Sequence, residues 1–166
     1  TFNETSIYPG MKAVQTFTIE KGSQDGIGIY EIDLEAVVPE VFGSDIEISL
    51  YKTTDPTTNN ITREEGSITQ TSEGFYKEDK ITINGSLEMV YGPEDLTNNN
   101  QIILEQYKFN TETLEKTTYY LVYNYKNNGN QNAQQGQTFS GKVTVRLISD
   151  MVYTENILNG ADPVIK

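Results

Sequence analysis

The chain has 166 residues, a formal net charge of −12, and no Cys, His or Trp. That length fits one domain, or one domain with a short tail. A domain of this size buries about 70% of the surface its unfolded chain exposes, so it needs neither metal nor disulfide to fold. The charge repels nucleic acid, whose phosphates require clustered Lys and Arg, and it disfavours the anionic face of a membrane.

Along the chain, apolar residues recur with the period of two that marks strands. From Ile27 the pattern sets Ile32, Leu34, Ala36 and Val38 on a buried face and Glu31, Asp33 and Glu35 on a wet one. Pro39 ends this strand. A second strand points Ile46, Ile48 and Leu50 inward and Glu47 and Ser49 outward. Residues 55–66, with Pro56, Asn59 and Asn60, read as a polar loop. Strands are expected at 81–83, 87–91, 102–109, 117–125 and 139–147. Asn84-Gly85 reads as a tight hairpin turn between the first two of these, because that dipeptide accepts positive φ. Residues 110–116 form a short, hairpin-like polar connection. The Asn/Gln/Gly-rich stretch 126–137 reads as a long mobile loop or hairpin tip. The last strand is the clearest: Phe139, Gly141, Val143, Val145 and Leu147 share one face, and Ser140, Lys142, Thr144 and Arg146 the other. A single helical turn is expected at 154–159.

The expected fold is therefore all-β. It is a two-sheet antiparallel sandwich, jelly-roll or Ig-like, with at most one short helix. Residues 1–153 form the sandwich domain, and 154–166, with Gly160 and Pro163, a short linker or tail leading to a further module. No internal repeat or heptad is visible. No apolar run approaches the roughly 20 residues that span a bilayer. The chain opens at Thr1 without an initiator Met, which gives the expectation of a targeting segment cleaved or left out.

The residue inventory narrows the chemistry. Without Cys and His, the common triads and dyads cannot be built, and zinc loses its preferred nitrogen and sulfur ligands. The P-loop, H-E-x-x-H and P-C-x-x-C motifs do not occur. Gly26 and Gly28 flank the start of a strand, so they are no dinucleotide fingerprint. Paired carboxylates can hydrolyse a glycosidic bond, but Glu31, Asp33, Glu35, Glu47, Glu64, Glu65, Glu94 and Asp95 form no distinguished pair. The expectation is no enzyme, no catalytic residue and no cofactor. Calcium is the alternative at Asp55, Thr57 and Asn59, or at Glu94 and Asp95, although neither loop completes an EF-hand. Lys142 and Asn124 are a candidate pair for an intramolecular isopeptide bond.

Tyrosine is plentiful, with eleven residues against six Phe. Tyr119, Leu121, Tyr123 and Tyr125 alternate with Tyr120 and Val122 along one strand. One face must be core. The other is a candidate exposed aromatic platform, so Tyr119, Tyr120, Tyr123 and Tyr125 are the candidate binding residues. Carbohydrate modules favour Trp, and its absence counts against a sugar ligand here.

One resemblance comes from the N-terminal third. Ile7-Tyr8-Pro9-Gly10-Met11 is followed by Val14-Gln15-Thr16-Phe17-Thr18-Ile19 and by Lys21-Gly22-Ser23. This segment resembles the opening of TasA/camelysin-like secreted proteins of Gram-positive bacteria, although Lys21 and Met11 depart from the family pattern. The resemblance implies a jelly roll, export, and a role in extracellular fibres or the cell-wall matrix. It also implies that the N-terminal strand, from Phe2 to Ile7, can be lent to a neighbour. Peptidase activity ascribed to some relatives is not carried over, because the chain has no zinc motif.

The function expected from sequence is a non-catalytic extracellular domain, at the cell surface or in the cell wall, with a structural, matrix or adhesive role. The alternative is a ligand-binding module for a glycan or host protein on an exposed Tyr-rich face. The expected partners are a second copy or another surface protein, or a glycan, with no nucleic acid and no membrane insertion by this segment.

Overall fold

The computed structural model describes residues 2–3, 7–21, 27–72, 74–110, 116–129, 131–147, 156–157 and 164–165. Among the described residues the strands run in chain order: β1 (Phe2–Asn3), β2 (Lys12–Lys21), β3 (Ile27–Val37), β4 (Ile46–Thr53), β5 (Asn60–Glu64), β6 (Ile68–Thr71) and β7 (Gly74–Lys77). There follow β8 (Lys80–Asn84), β9 (Glu88–Asp95), β10 (Asn99–Asn110), β11 (Lys116–Tyr125), β12 (Ser140–Leu147), β13 (Asn156–Ile157) and β14 (Val164–Ile165). The helical residues described are two 3₁₀ turns, Glu40–Phe42 and Asn132–Gln134. The fold is all-β and sandwich-like.

The first sheet has the order β1-β12-β3-β10, with β13 also pairing β12. The second has the order β14-β2-β11-β4-β9. Pairing is antiparallel throughout except between β14 and β2. Alternation puts one face of each sheet in the interior. Ile32, Leu34 and Ala36 from β3, with Val143 and Val145 from β12, share the core with Ile46, Ile48 and Leu50 from β4 and Leu121 from β11. Each of these Val, Leu and Ile side chains, fully withdrawn from water, contributes about 1.5–3 kcal/mol. Gly141 sits where a side chain has no room. A Cβ there would stand 2.4 Å from the Tyr123 hydroxyl oxygen.

Between β4 and β9 the chain makes an excursion. β5 pairs β8, and β6 pairs β7 inside them, so residues 60–84 form one long hairpin arm interrupted at 65–67 and 78–79. The expected loop at 55–66 is therefore corrected. It contains β5, whose one buried apolar side chain is Ile61, and polar residues on both sides hid the strand. The expected hairpin at Asn84-Gly85 is also corrected. Gly85 does adopt φ +74°, but β8 pairs β5 while β9 pairs β4. The turn carries the chain from the arm back to the sheet, and Asn59 Oδ1 accepts the Ser86 N–H across its base. The connection expected at 110–116 lies outside the described residues except at its ends, and the strands on either side of it, β10 and β11, belong to different sheets.

The expected mobile loop at 126–137 is held in place. Asp45 accepts hydrogen bonds from the side-chain amides of Asn128, Gln131 and Gln134, and Gln134 also donates to the Val41 carbonyl. The helical turn expected at 154–159 lies outside the described residues except at Asn156–Ile157, which is strand. No helix among the described residues is long and apolar enough to cross a membrane.

Candidate binding cleft

The sandwich buries the tyrosines expected at its surface. Tyr119, Tyr123 and Tyr125 are 0%, 1% and 3% exposed, and Tyr120 on the opposite face of β11 is 5% exposed. The exposed Tyr-rich platform is thus corrected. β11 lies in the middle of its sheet, paired to β2 on one side and β4 on the other, and its odd-numbered residues face the first sheet. Tyr119 stacks on Phe17 with ring centroids 5.2 Å apart. Tyr125 packs edge-on against Phe42 and Phe139. Burial pushes the Tyr119, Tyr123 and Tyr125 hydroxyls well above their ordinary range.

A polar cluster lies inside one end of the sandwich. The register of β10 shifts against β3 between Ile103 and Glu105, so Leu104 and Glu105 both turn inward. Such a bulge re-aims a side chain that alternation would send outward. The Glu105 carboxylate pairs with Lys52 at 2.7 Å and accepts the Tyr119 hydroxyl at 2.5 Å. Tyr119 and Tyr30 share a further hydrogen bond, and the Lys52 ammonium lies 4.3 Å from the centre of the Tyr107 ring.

The acids of β3 expected to face water are mostly buried. Glu31 and Asp33 are 4% and 7% exposed and share Arg146 from β12. Gln106 donates to Glu31, and Gln101 to Asp33. Burial and the neighbouring Glu31 carboxylate push Asp33 up to about 6. Burial also acts against the Glu31 charge, but hydrogen bonds from Gln106, Arg146 and Asp33 outweigh it and hold Glu31 below the usual range. The candidate isopeptide pair is corrected as well. Lys142 lies on the outer face of the first sheet and Asn124 on the outer face of the second, so the core separates them.

A hollow lies where three segments meet. The first is the turn Tyr8-Pro9-Gly10-Met11, closed by the Met11 N–H on the Tyr8 carbonyl. Pro presets the first central position of such a turn, and Gly10 supplies φ +89° at the second. A Cβ on Gly10 would meet the Lys77 carbonyl oxygen at 1.8 Å. The Gly10 N–H bonds the Tyr125 carbonyl, and the Lys77 N–H bonds the Pro9 carbonyl, so the turn is wedged between β11 and β7.

The second segment is the tip of the arm. Asp79 fixes the arm to the start of β2. Its buried carboxylate accepts the backbone N–H groups of Lys12 and Gly66, at 2.9 and 2.8 Å, and pairs with Arg63 at 2.8 Å. Burial opposes this charge, but the Arg63 and backbone donors hold the carboxyl below its ordinary range. The third segment is the amide-rich loop clamped by Asp45. Together they enclose a cleft of about 250 Å³. Tyr8, Phe75, Tyr76 and Tyr125 line it, with Asn127, Gln131, Gln134 and Gln135. Among the described residues no charged side chain forms its wall. Tyr8 and Phe75 meet edge to face at 6.2 Å, and Phe75 is 47% exposed.

Ile7, a candidate for strand donation, is half-buried against the core and borders this cleft. Phe2 and Asn3 pair within the same chain, opposite Gly141 and Ser140. At the candidate calcium loop, Asp55 accepts the Thr58 hydroxyl and Asn59 caps the arm. No group of three or more acids converges as a metal cage among the described residues. Sequence reasoning singled out the Asn/Gln run and the Pro-Gly turn but nothing that brought them together with Phe75. In comparisons with known proteins, the chain matches no family model, no curated protein and no solved structure.

Proposed function

We propose that the chain is a non-catalytic domain displayed outside the cell, at the cell surface or in the cell wall, where it serves an adhesive role through the cleft at one end of the sandwich. The observation that carries this reading is the clamping of two segments that the sandwich does not need for closure. Asp79 holds the arm and Asp45 holds the amide loop, each through several hydrogen bonds. Loops positioned by a rigid scaffold are where recognition sits in many folds. A wall already ordered also lowers the entropy cost of binding. The resemblance of the first third to TasA/camelysin-like secreted proteins supports the placement outside the cell. The test is retention of chain-coated beads on cell-wall and matrix preparations, with Phe75→Ala and Gln135→Ala as cleft variants.

A second reading is a matrix role by strand lending, and one observation favours it. Among the described residues, β1 pairs with β12 at Phe2–Gly141 and Asn3–Ser140. An N-terminal strand that pairs through main-chain hydrogen bonds can be lent to a second copy in the same way. Light scattering over a concentration series, with and without residues 1–8, tests it. Polymers that vanish on truncation support strand lending; monomers in both cases remove it.

A further inference from the structure

We infer that the cleft takes a neutral saccharide, one or two sugar units long. The inference rests on the adhesive reading above and names its ligand. Three features of the walls select this chemistry.

The first is the absence of charge. The chain is 22% charged residues with a net of −12, yet the described cleft walls are aromatic, amide, hydroxyl or glycine apart from Ile7 and Pro9. A uronate or sialate would enter without an Arg or Lys to pair with, against the field of an acidic protein. A cationic peptide would find no carboxylate among the described wall residues. An uncharged polyol meets neither penalty.

The second is the pairing of ring faces with amides. A sugar ring has an apolar C–H face and an edge of vicinal hydroxyls. Aromatic rings suit the face, since they are large, rigid and apolar. Phe75 is half open to solvent and Tyr8 stands beside it. A side-chain amide offers a donor and an acceptor side by side, which suits two adjacent hydroxyls. Asn127 spends its Oδ1 on the Gly129 N–H, which leaves the Nδ2 group for a ligand. Gln135 donates from Nε2 to Asn132, which leaves its Oε1 to accept. Tyr and Phe take the place that Trp fills in many sugar sites.

The third is preorganisation with a matching size. Gln131 and Gln134, at the back of the cleft, are fixed by Asp45, by each other and by the Tyr125 hydroxyl. A volume of about 250 Å³ lies just under the range of roughly 300–1,000 Å³ common for ligand pockets, which fits a small ligand.

The experiment is a titration of the full chain, ¹⁵N-labelled, with neutral disaccharides (cellobiose, lactose, maltose, chitobiose) and with acidic ones (sialyllactose, digalacturonate). Saturable shifts are expected with at least one neutral sugar, confined to residues 7–9, 74–76 and 127–136. Phe75→Ala and Gln135→Ala, both at exposed positions, should weaken that binding by about tenfold or more with the rest of the spectrum unchanged. No shift with any neutral sugar at 10 mM, or tighter binding of an acidic one, overturns the saccharide inference. Bead retention lost in Phe75→Ala but not competed by neutral sugars keeps the cleft as the adhesive site and overturns the ligand class. Retention indifferent to both variants overturns the adhesive reading itself.

Discussion

Single residues carry the geometry of the cleft and of the core beneath it. Gly10 is the sharpest case, because both its φ of +89° and the Lys77 carbonyl exclude a side chain. Gly10→Ala is expected to cost about 3 kcal/mol from backbone strain and overpacking together. For a chain of this length that lowers Tm by about 10 °C in a thermal melt. A change under 2 °C would mean the turn does not adopt this conformation. Lys52 and Glu105 make a second test. Both side chains are largely buried, at 14% and 11% exposure. Lys52→Met alone strands the Glu105 carboxylate and should destabilise by about 3 kcal/mol. Lys52→Met with Glu105→Leu should recover most of that loss, since an apolar pair needs no desolvation. Denaturant melts of the two variants decide it, and equal losses in both would contradict the buried pair.

At the scale of elements, alternation was readable wherever one face met the core and the other met water. Ile32, Leu34 and Ala36 in β3, Val38 just past its end, and Phe139 to Val145 around β12 are placed as their spacing says. The pattern failed where a second layer or a bulge intervened. Glu105 points inward because the bulge at Leu104 inverts parity, and no residue type in the sequence announces that shift. Glu31 and Asp33 carry the pattern of a wet face, but Arg146 from a distant strand closes over them. In the arm from Asn60 to Asn84 the strand at 81–83 was legible, whereas β5, β6 and β7 carry only one or two apolar residues each and left little hydrophobic signal. The parts of the cleft, Tyr8, Phe75 and Gln131, lie too far apart in sequence for local pattern to join them. The clamp on the 126–137 loop is testable as an element. Asp45→Ala removes the acceptor shared by three amides, so limited proteolysis should cut within 126–137 at least tenfold faster while the sandwich stays intact. An unchanged cleavage rate would show that the loop does not depend on Asp45.

For the molecule as a whole, charge and pH set the limits of stability. Asp33 is raised to about 6, so the folded chain takes up its proton more readily than the unfolded one between about pH 4 and 6. Stability therefore rises as pH falls through 6. Glu31 and Asp79 are held below their ordinary values, so the stability they contribute is lost as pH falls below about 4. A maximum near pH 5 is expected in Tm against pH, and Asp33→Asn should flatten the limb between pH 5 and 7. A Tm that climbs steadily from pH 5 to 8 would contradict this placement of Asp33. The −12 charge adds to the same trend, since self-repulsion eases as carboxylates protonate.

The proposed adhesive role rests on the cleft where the sandwich, the arm and the clamped loop meet, whose described wall residues carry no charge. The most direct measurement is retention of chain-coated beads on cell-wall and matrix preparations under flow, comparing the native chain with Phe75→Ala/Gln135→Ala at matched Tm. The account predicts firm retention by the native chain and a loss of tenfold or more in the double variant. Equal retention by both would contradict it.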